Sequence, residues 1–197
     1  TYEVLLGQCS ARDAILTTPF KGVEVIPSSM ALAAAELELA DMRDRVMRLK
    51  EELVRVKGEY DFVLIDCPPS LGMVTLNALS ACDSLIIPIQ CEYYALEGLS
   101  QLVTTVRQVK RLYNPGIEIE GVLLTMYDGR PNLTLQVVDE VKKYFPEKVF
   151  KNVIPRNVRL SEAPSFGQPV LYFDRSSRGS QAYEALTAEI LDKNRKG

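Results

Sequence analysis

The chain of 197 residues contains no histidine, and cysteine is scarce. The lack of histidine excludes Ser-His-Asp and Cys-His catalysis and zinc sites that use imidazole ligands. Cys9, Cys67, Cys82 and Cys91 are the only cysteines, and no two of them form a CxxC pair. We therefore expect buried thiols, without a disulfide framework or a metal–sulfur site.

Long apolar runs and a strong excess of one charge are absent as well. No stretch approaches the roughly 18 consecutive apolar residues of a membrane-spanning helix. The 23 Lys and Arg residues nearly balance the 26 Asp and Glu residues, which leaves a net charge of −3. The chain as a whole therefore does not match nucleic acid electrostatically, and any DNA contact needs a local basic patch. The length and composition predict a single domain over residues 1–197.

Short apolar runs alternate with longer amphipathic ones along the chain. We predict strands at 23–26, 62–65, 84–88, 117–125 and 149–154. We predict helices at about 28–56, 71–81, 95–112, 133–145 and 180–193. This order predicts an α/β fold of three layers, with a mainly parallel sheet covered by helices on both faces. Ligands of such sheets bind beyond the carboxyl ends of the strands.

The segment YDFVLIDCPPS, residues 60–70, places a carboxylate directly after a predicted buried strand. A hydrophobic strand that ends in aspartate is typical of a Walker B motif, whose carboxylate orients water or Ser/Thr around nucleotide-bound Mg²⁺. Two alternatives are an aspartate that only caps the next helix and the phospho-accepting aspartate of a receiver domain. A receiver would also need an upstream acidic pair and a later Lys-Pro, and neither is present.

The phosphate-binding loop that usually accompanies such an aspartate does not occur in these residues. A P-loop needs glycines for close approach of the backbone, a lysine for the β- and γ-phosphates, and a Ser or Thr for Mg²⁺. No glycine is followed by lysine, so neither GxxxxGK[ST] nor a KGG variant is present. Asp66 therefore has a magnesium role without a phosphate cradle, and we do not expect catalysis by this polypeptide alone.

Four segments resemble, in order and spacing, the ParA family of partition ATPases (the Soj type), in the deviant-Walker group of P-loop NTPases that includes MinD. They are DCPPSLGMVTLNAL (66–79), PIQCEYYALEGLSQL (88–102), EGVLLTMYDGR (120–130) and VIPRNVRLSEAPSFGQPV (153–170). The resemblance implies a homodimerising switch that depends on ATP and Mg²⁺. It also implies binding to DNA without sequence preference, a ParB-type partner, a role in chromosome or plasmid partition, and a cytoplasmic, nucleoid-associated location.

The resemblance also gives roles to particular residues. Asp66 resembles the Walker B carboxylate and would contact Mg²⁺ through water. A switch that senses the γ-phosphate corresponds to Pro68, Pro69, Ser70 and Gly72. Residues that line the adenine correspond to Met126, Pro155, Arg156 and Asn157. Arg130 and Arg159 correspond to arginines that the family uses on DNA.

These roles fit the chemistry of the residue types, although each type also has a simpler explanation. The Pro155 ring offers an apolar face to a base, and Asn157 can donate and accept hydrogen bonds at a base edge. The same PRN segment can be an ordinary turn. Surface arginines such as Arg130 and Arg159 are often only solvated, and the family resemblance is what favours DNA contact.

The matched segments enter the family pattern after its first strand, P-loop helix and second strand. We therefore expect an incomplete chain that lacks the N-terminal βαβ part, with a short ATPase-dead homologue and a cleaved but still bound protein as alternatives. Two other functions stay open: an ATPase-dead DNA- or partner-binding module, and a MinD-like membrane-associated ATPase. A membrane role is disfavoured because the C-terminal tail offers only Leu186, Ile190 and Leu191 as apolar anchors.

Overall fold

A computed structural model describes residues 1–68, 70–91, 95–130 and 132–195. The elements of the first part are α1 (Tyr2–Leu5), α2 (Ala11–Ala14), β1 (Leu16–Thr17), β2 (Glu24–Val25), α3 (Leu32–Glu38), α4 (Arg48–Leu53) and α5 (Met73–Ala81), with 3₁₀ turns at Leu39–Asp41 and Lys57–Glu59. The later elements are β3 (Ser84–Gln90), α6 (Ala95–Leu112), β4 (Glu118–Thr125), α7 (Asn132–Tyr144), α8 (Val158–Glu162), α9 (Val170–Phe173) and α10 (Arg178–Arg195), with a 3₁₀ turn at Ala163–Phe166.

The chain divides into two compact units. Unit 1 comprises Thr1–Asp83 and Leu102–Glu118, and unit 2 comprises Ser84–Gln101 and Ile119–Gly197. The core of unit 1 is formed by buried side chains of its helices and the turns beside them: Val4, Leu5, Ala11, Ala35, Leu39, Leu49, Leu53, Val56 and Ala78. A core cluster of unit 2 is formed by Leu123, Phe150, Ile154 and Leu186.

The prediction of one long helix at about 28–56 is wrong, because the chain turns between α3 and α4. Asp44 takes a left-handed backbone with φ of 55° in this turn. The fully buried side chain of Asn77 satisfies the backbone groups that the turn exposes: its amide donates to Arg45 O at 2.7 Å, and its oxygen accepts Leu49 N–H at 3.2 Å. The turn lets the side chains of Leu39 and Leu49 enter the same core. In a straight helix these two side chains would point in different directions.

The predicted strand at 62–65 is also wrong, since residues 62–68 form no strand, helix or turn. A strand exists only where a neighbour completes its hydrogen-bond ladder. The backbone of residues 62–66 bonds to no backbone group of the described residues. The apolar sequence is therefore present here without the pairing that would make it a strand.

Unit 2 contains the parallel part of the fold. β3 and β4 are neighbours in one sheet. Glu118 N–H donates to Asp83 O at their first ends and Cys91 N–H donates to Thr125 O at their last ends, so the two strands run parallel. The predicted helix at 95–112 is confirmed by α6. β1 and β2, in unit 1, form a short antiparallel pair instead.

In the described residues, the predicted strand at 149–154 is reduced to one isolated parallel bridge, between Val149 and Val122 of β4. The run bends because the N–H groups of Lys151 and Asn152 donate to the Glu189 carboxylate, at 2.9 and 3.0 Å, instead of to a strand. Gly121 fits this packing, since a Cβ there would lie 2.5 Å from the Phe150 ring. The arrangement ties the bent run to β4 on one side and to α10 on the other.

Candidate functional site

Two loops meet at the carboxyl end of β4. The β4 loop, residues 126–130, begins at Met126, which has a left-handed backbone with φ of 50°. The Tyr127 N–H donates to Ile154 O at 3.0 Å, and the Arg156 N–H donates to Tyr127 O at 3.4 Å. The β4 loop and the PRN loop, residues 155–159, therefore lie side by side. The sequence predicted this proximity for Met126 and Pro155, whose role at adenine stays a prediction.

Asn157 has a structural role in the PRN loop. Its side-chain oxygen accepts the N–H of Arg159 at 2.9 Å and caps α8. Its side-chain amide has no partner among the described residues. The cap fixes the direction of Asn157 and engages its side-chain oxygen, so only the side-chain amide remains available as a donor.

Arg130 is held by the aspartate two residues before it. Its guanidinium binds both oxygens of Asp128, at 2.9 and 2.7 Å, although its side chain is 89% exposed. These hydrogen bonds, together with the Arg130 backbone N–H and the charge of Arg156, lower the pKa of Asp128 to about 2. Asp128 is therefore ionised throughout the physiological pH range, and the positive charge of Arg130 is partly neutralised by its own loop.

Arg159 is paired in the same way. Its guanidinium lies 2.8 Å from the Glu162 carboxylate and 3.2 Å from that of Asp174. The sequence points to the two arginines but not to their acidic partners. The sequence could have indicated Glu162, because residues three positions apart on a helix, such as Arg159 and Glu162, face the same side. Asp174 carried no such signal.

Asp66 and the predicted switch lie in unit 1. Asp66, Cys67, Pro68 and Ser70 are exposed, and Pro69 lies outside the described residues. Mg²⁺ at nucleotides is usually bound by one or two carboxylates together with phosphate oxygens and water, so a single exposed carboxylate fits the water-mediated role. The described residues contain no group of three or more His, Cys, Asp or Glu side chains that could hold a metal ion.

Gly72 and Glu36 fix the start of α5, directly after the predicted switch. The Glu36 carboxylate accepts the N–H groups of Met73 at 2.6 Å and Val74 at 3.1 Å. A Cβ at Gly72 would lie 2.4 Å from a Glu36 oxygen. Gly72, predicted as part of the switch, therefore makes room for a carboxylate at the helix N-terminus. Glu36 could not be identified from the sequence, because no local pattern relates it to Met73, which lies 37 positions away.

Known proteins resemble this chain over nearly its whole length. A family described as an AAA domain matches residues 1–119. The sporulation initiation inhibitor protein Soj of Bacillus subtilis (strain 168) is 54% identical over 189 residues, which cover 96% of this chain and 75% of that protein. The chromosome partitioning protein ParA of Myxococcus xanthus is 48% identical over 98% of this chain and 68% of its own length. The chain belongs to the Soj/ParA family of chromosome-partitioning ATPases.

The family resemblance stated from the four sequence segments is thus confirmed. A crystal structure of cobyrinic acid a,c-diamide synthase from Mycobacterium smegmatis, with a bound ATP analogue and magnesium, superposes with a TM-score of 0.83 at 34% identity. It covers 96% of this chain and 70% of that one. The fold is that of the P-loop NTPases of the ParA/MinD type, which confirms the α/β class. In the described part of this Soj/ParA chain, no helix combines the length and apolar character of a membrane span.

Proposed function

We propose that this chain acts in DNA partition as a nucleotide-dependent, homodimerising switch that binds DNA without sequence preference and works with a ParB-type partner. The observation that carries the proposal is the meeting of the β4 loop and the PRN loop. Together they carry the adenine-lining candidates and both DNA-binding candidates.

Arg130 and Arg159 supply the DNA contact. Both side chains are more than half exposed, and both are oriented by carboxylates rather than buried by packing. A phosphate would compete with Asp128 for Arg130 and with Glu162 and Asp174 for Arg159. Because each phosphate contact releases counterions and carries no base information, binding should be salt-sensitive and indifferent to sequence.

In unit 2, Met126, Pro155, Arg156 and Asn157 are the proposed contacts to the base. In unit 1, Asp66 is the proposed carboxylate for Mg²⁺, which it would reach through water. Bound Mg²⁺ would neutralise charge on the phosphate oxygens, a property of the ion itself. Asp66 would orient a water in its shell, and Gly72 would let the switch segment respond to the γ-phosphate. Hydrolysis needs a phosphate-binding loop, which these 197 residues do not contain, so we expect them to show no ATPase activity by themselves.

The proposed DNA binding is tested by fluorescence anisotropy with a labelled duplex of arbitrary sequence. We expect Arg130→Ala with Arg159→Ala to weaken binding at least tenfold. A matched control is Arg12→Ala with Arg55→Ala, which removes two exposed arginines that also pair with glutamates, Glu59 and Glu52. An equal loss of DNA affinity in the two double variants would mean that only net charge matters. Unchanged DNA affinity in Arg130→Ala with Arg159→Ala would mean that these two arginines do not contact DNA.

One observation favours a second candidate, a DNA- or partner-binding module without ATPase activity: the absence of a glycine–lysine pair from the sequence. The two candidates differ in their dependence on nucleotide. The switch requires that Mg²⁺-ATP, with the phosphate-binding segment supplied, change DNA affinity, and that Asp66→Ala abolish this change. If Mg²⁺-ATP does not change DNA affinity in the protein with the phosphate-binding segment or in its Asp66→Ala variant, the chain is the binding module.

The MinD-like alternative finds no support in α10. Leu186 is buried in the unit 2 core, and Ile190 packs against the same cluster. These are two of the three apolar anchors available to the tail. Because they serve packing, they are not presented to a bilayer.

A further inference from the structure

The predicted switch, just before α5, has few backbone groups that can donate hydrogen bonds to a ligand. Its two consecutive prolines lack a backbone N–H. The first two N–H groups of α5 are already bound by the Glu36 carboxylate, at 2.6 and 3.1 Å. The donors that remain between the prolines and α5 are therefore the N–H groups of residues 70–72, which bond to no group of the described residues.

A buried hydroxyl fixes one of the peptide groups in this stretch. Thr75, on the first turn of α5, is only 5% exposed, and its hydroxyl donates to Ser70 O at 2.6 Å. A threonine in a helix usually bonds to a carbonyl three or four residues before it. Thr75 instead reaches five residues back, past the N-cap Gly72, to a carbonyl outside α5. The contact therefore ties Ser70 to the helix that follows it.

The same contact determines where the next N–H points. The peptide bond between Ser70 and Leu71 is trans, so the carbonyl and the following N–H lie on opposite sides of one planar unit. Because the carbonyl is directed at Thr75, the Leu71 N–H is directed away from that hydroxyl. Leu71 is also exposed, so a ligand can approach it. An oriented backbone N–H of this kind is a suitable donor to a phosphate oxygen.

The N-terminus of α5 does not offer the same opportunity. The Glu36 carboxylate occupies its first N–H groups, and Gly72 leaves room for that carboxylate. A phosphate would have to displace a group of the same charge to bind there. The fixed peptide before the helix is therefore the better position for a contact with an anionic ligand.

We propose that Thr75 is a positioning residue of the nucleotide switch, whose hydroxyl holds the Ser70–Leu71 peptide so that the Leu71 N–H can donate to a γ-phosphate oxygen. This role rests on the proposed function, because it requires ATP beside Asp66. A donor that is already in place loses little freedom on binding, so it favours a triphosphate over a diphosphate. Without the hydroxyl, the Ser70 carbonyl would lose its partner and the peptide could turn.

The alternative is a purely structural hydroxyl, which only satisfies a carbonyl at the start of a helix. That role predicts lower stability without any change in the choice between nucleotides. Two substitutions separate the roles, because Thr75→Val removes the hydroxyl and keeps the branched shape, whereas Thr75→Ser keeps the hydroxyl. The matched control is Thr187→Val on α10, which removes a hydroxyl that donates to Tyr183 O at 2.8 Å.

The first measurement follows the peptide itself, in the chain of 197 residues. Backbone amide relaxation in solution NMR gives order parameters for residues 70–72. We expect values of about 0.8 in the parent, Thr75→Ser and Thr187→Val, and values below about 0.6 in Thr75→Val. Equal order parameters in the parent and Thr75→Val would show that the hydroxyl does not hold the peptide, and would overturn the proposal.

The second measurement follows the choice of nucleotide, in the protein with the phosphate-binding segment supplied. Titration calorimetry gives the dissociation constants of Mg²⁺-ADP and of Mg²⁺ with a non-hydrolysable ATP analogue. We expect Thr75→Val to lower the preference for the triphosphate by about fivefold or more, through weaker binding of the analogue. In Thr75→Ser and Thr187→Val the preference should stay within about twofold of the parent.

Thermal unfolding of the same proteins completes the test. If Thr75→Val unfolds at a lower temperature and keeps the parent's preference for the triphosphate, the hydroxyl is structural and the positioning role is wrong. If Thr75→Ser loses the preference as Thr75→Val does, side-chain packing is responsible and the role is wrong as well. A parent that binds both nucleotides equally would contradict the proposed switch itself, and the positioning role with it, even where the order parameters show that Thr75 holds the peptide.

Discussion

At the scale of single residues, carboxylates determine much of how unit 2 is arranged. Glu189 on α10 takes the N–H groups of Lys151 and Asn152, and the Asn152 side chain donates to it at 2.7 Å. Partial burial disfavours the charge of Glu189, but these three hydrogen bonds outweigh burial and lower its pKa below the ordinary 4.5. The carboxylate thus stabilises the folded state most when it is ionised.

The Glu189→Gln variant should therefore lose stability in a pH-dependent way. A lowered folded pKa means that the stabilisation is complete above about pH 4.5 and is lost as the pH falls through the folded pKa. We expect a loss of about 1 kcal/mol in the free energy of unfolding at pH 7, and a smaller loss at pH 3. Urea unfolding at pH 7 and at pH 3 measures the change in the free energy of unfolding. Glu184→Gln, on the same helix, is the control. An equal loss at both pH values would contradict the charge argument.

We expect the ion pair of Asp128 with Arg130 to lower the affinity for DNA. In Asp128→Asn the bidentate partner of Arg130 is neutral, so the guanidinium is more available to phosphate. We expect DNA affinity to rise by about two- to fivefold, and the effect to be flat between pH 5 and 8 because Asp128 titrates near 2. Anisotropy titrations check this against Asp139→Asn on α7. Unchanged affinity in Asp128→Asn would mean that Arg130 does not reach DNA.

At the scale of elements, the start of α5 depends on a contact with another helix. Glu36 on α3 occupies the first N–H groups of α5, and Gly72 leaves room for it. This contact orients the segment that follows Asp66. An element next to a predicted switch is thus fixed by packing between helices and not by a cap in its own sequence.

A double-mutant cycle tests this contact. Gly72→Ala should destabilise by about 1 kcal/mol because its Cβ displaces the Glu36 carboxylate from the N–H groups of α5, and Glu36→Ala should destabilise by a similar amount because α5 loses the same cap. In the double variant the clash is absent, so the combined loss should be smaller than the sum. Thermal unfolding of the parent protein, the two single variants and the double variant gives the coupling free energy between Gly72 and Glu36. Simple additivity would show that Gly72 is required for another reason.

At the scale of the whole molecule, an acidic protein is proposed to bind an acidic polymer. The net charge of −3 opposes association, so attraction has to come from a local basic patch, which we propose to be the arginines of the two loops. Such a charge distribution favours weak, reversible binding that responds strongly to ionic conditions. This is the behaviour expected of the proposed switch.

The salt dependence of DNA binding therefore carries information about Arg130 and Arg159. Each phosphate contact contributes about −0.9 to the slope of log affinity against log salt. We expect the double alanine variant to have a slope smaller in magnitude by about 2 than the parent. Titrations from low to physiological salt measure the slopes. A parallel line with lower affinity would place the lost interaction away from the phosphates.

The amino-acid sequence by itself determined the α/β class, the order of its main helices, and the Soj/ParA family. It could do so because apolar periodicity and long matched segments are local properties. Helices such as α6 follow from that periodicity wherever they pack. The candidate arginines and the PRN loop were also readable, since they lie in matched segments.

The tertiary structure alone decided where the pattern breaks and which charges meet. The turn around Asp44 depends on the buried Asn77, and the bend at Lys151 depends on Glu189, 38 residues away. The run 62–65 has a strand sequence, but a strand forms only when another backbone completes its hydrogen bonds. Local propensity proposes an element, and contacts between distant residues determine whether it forms.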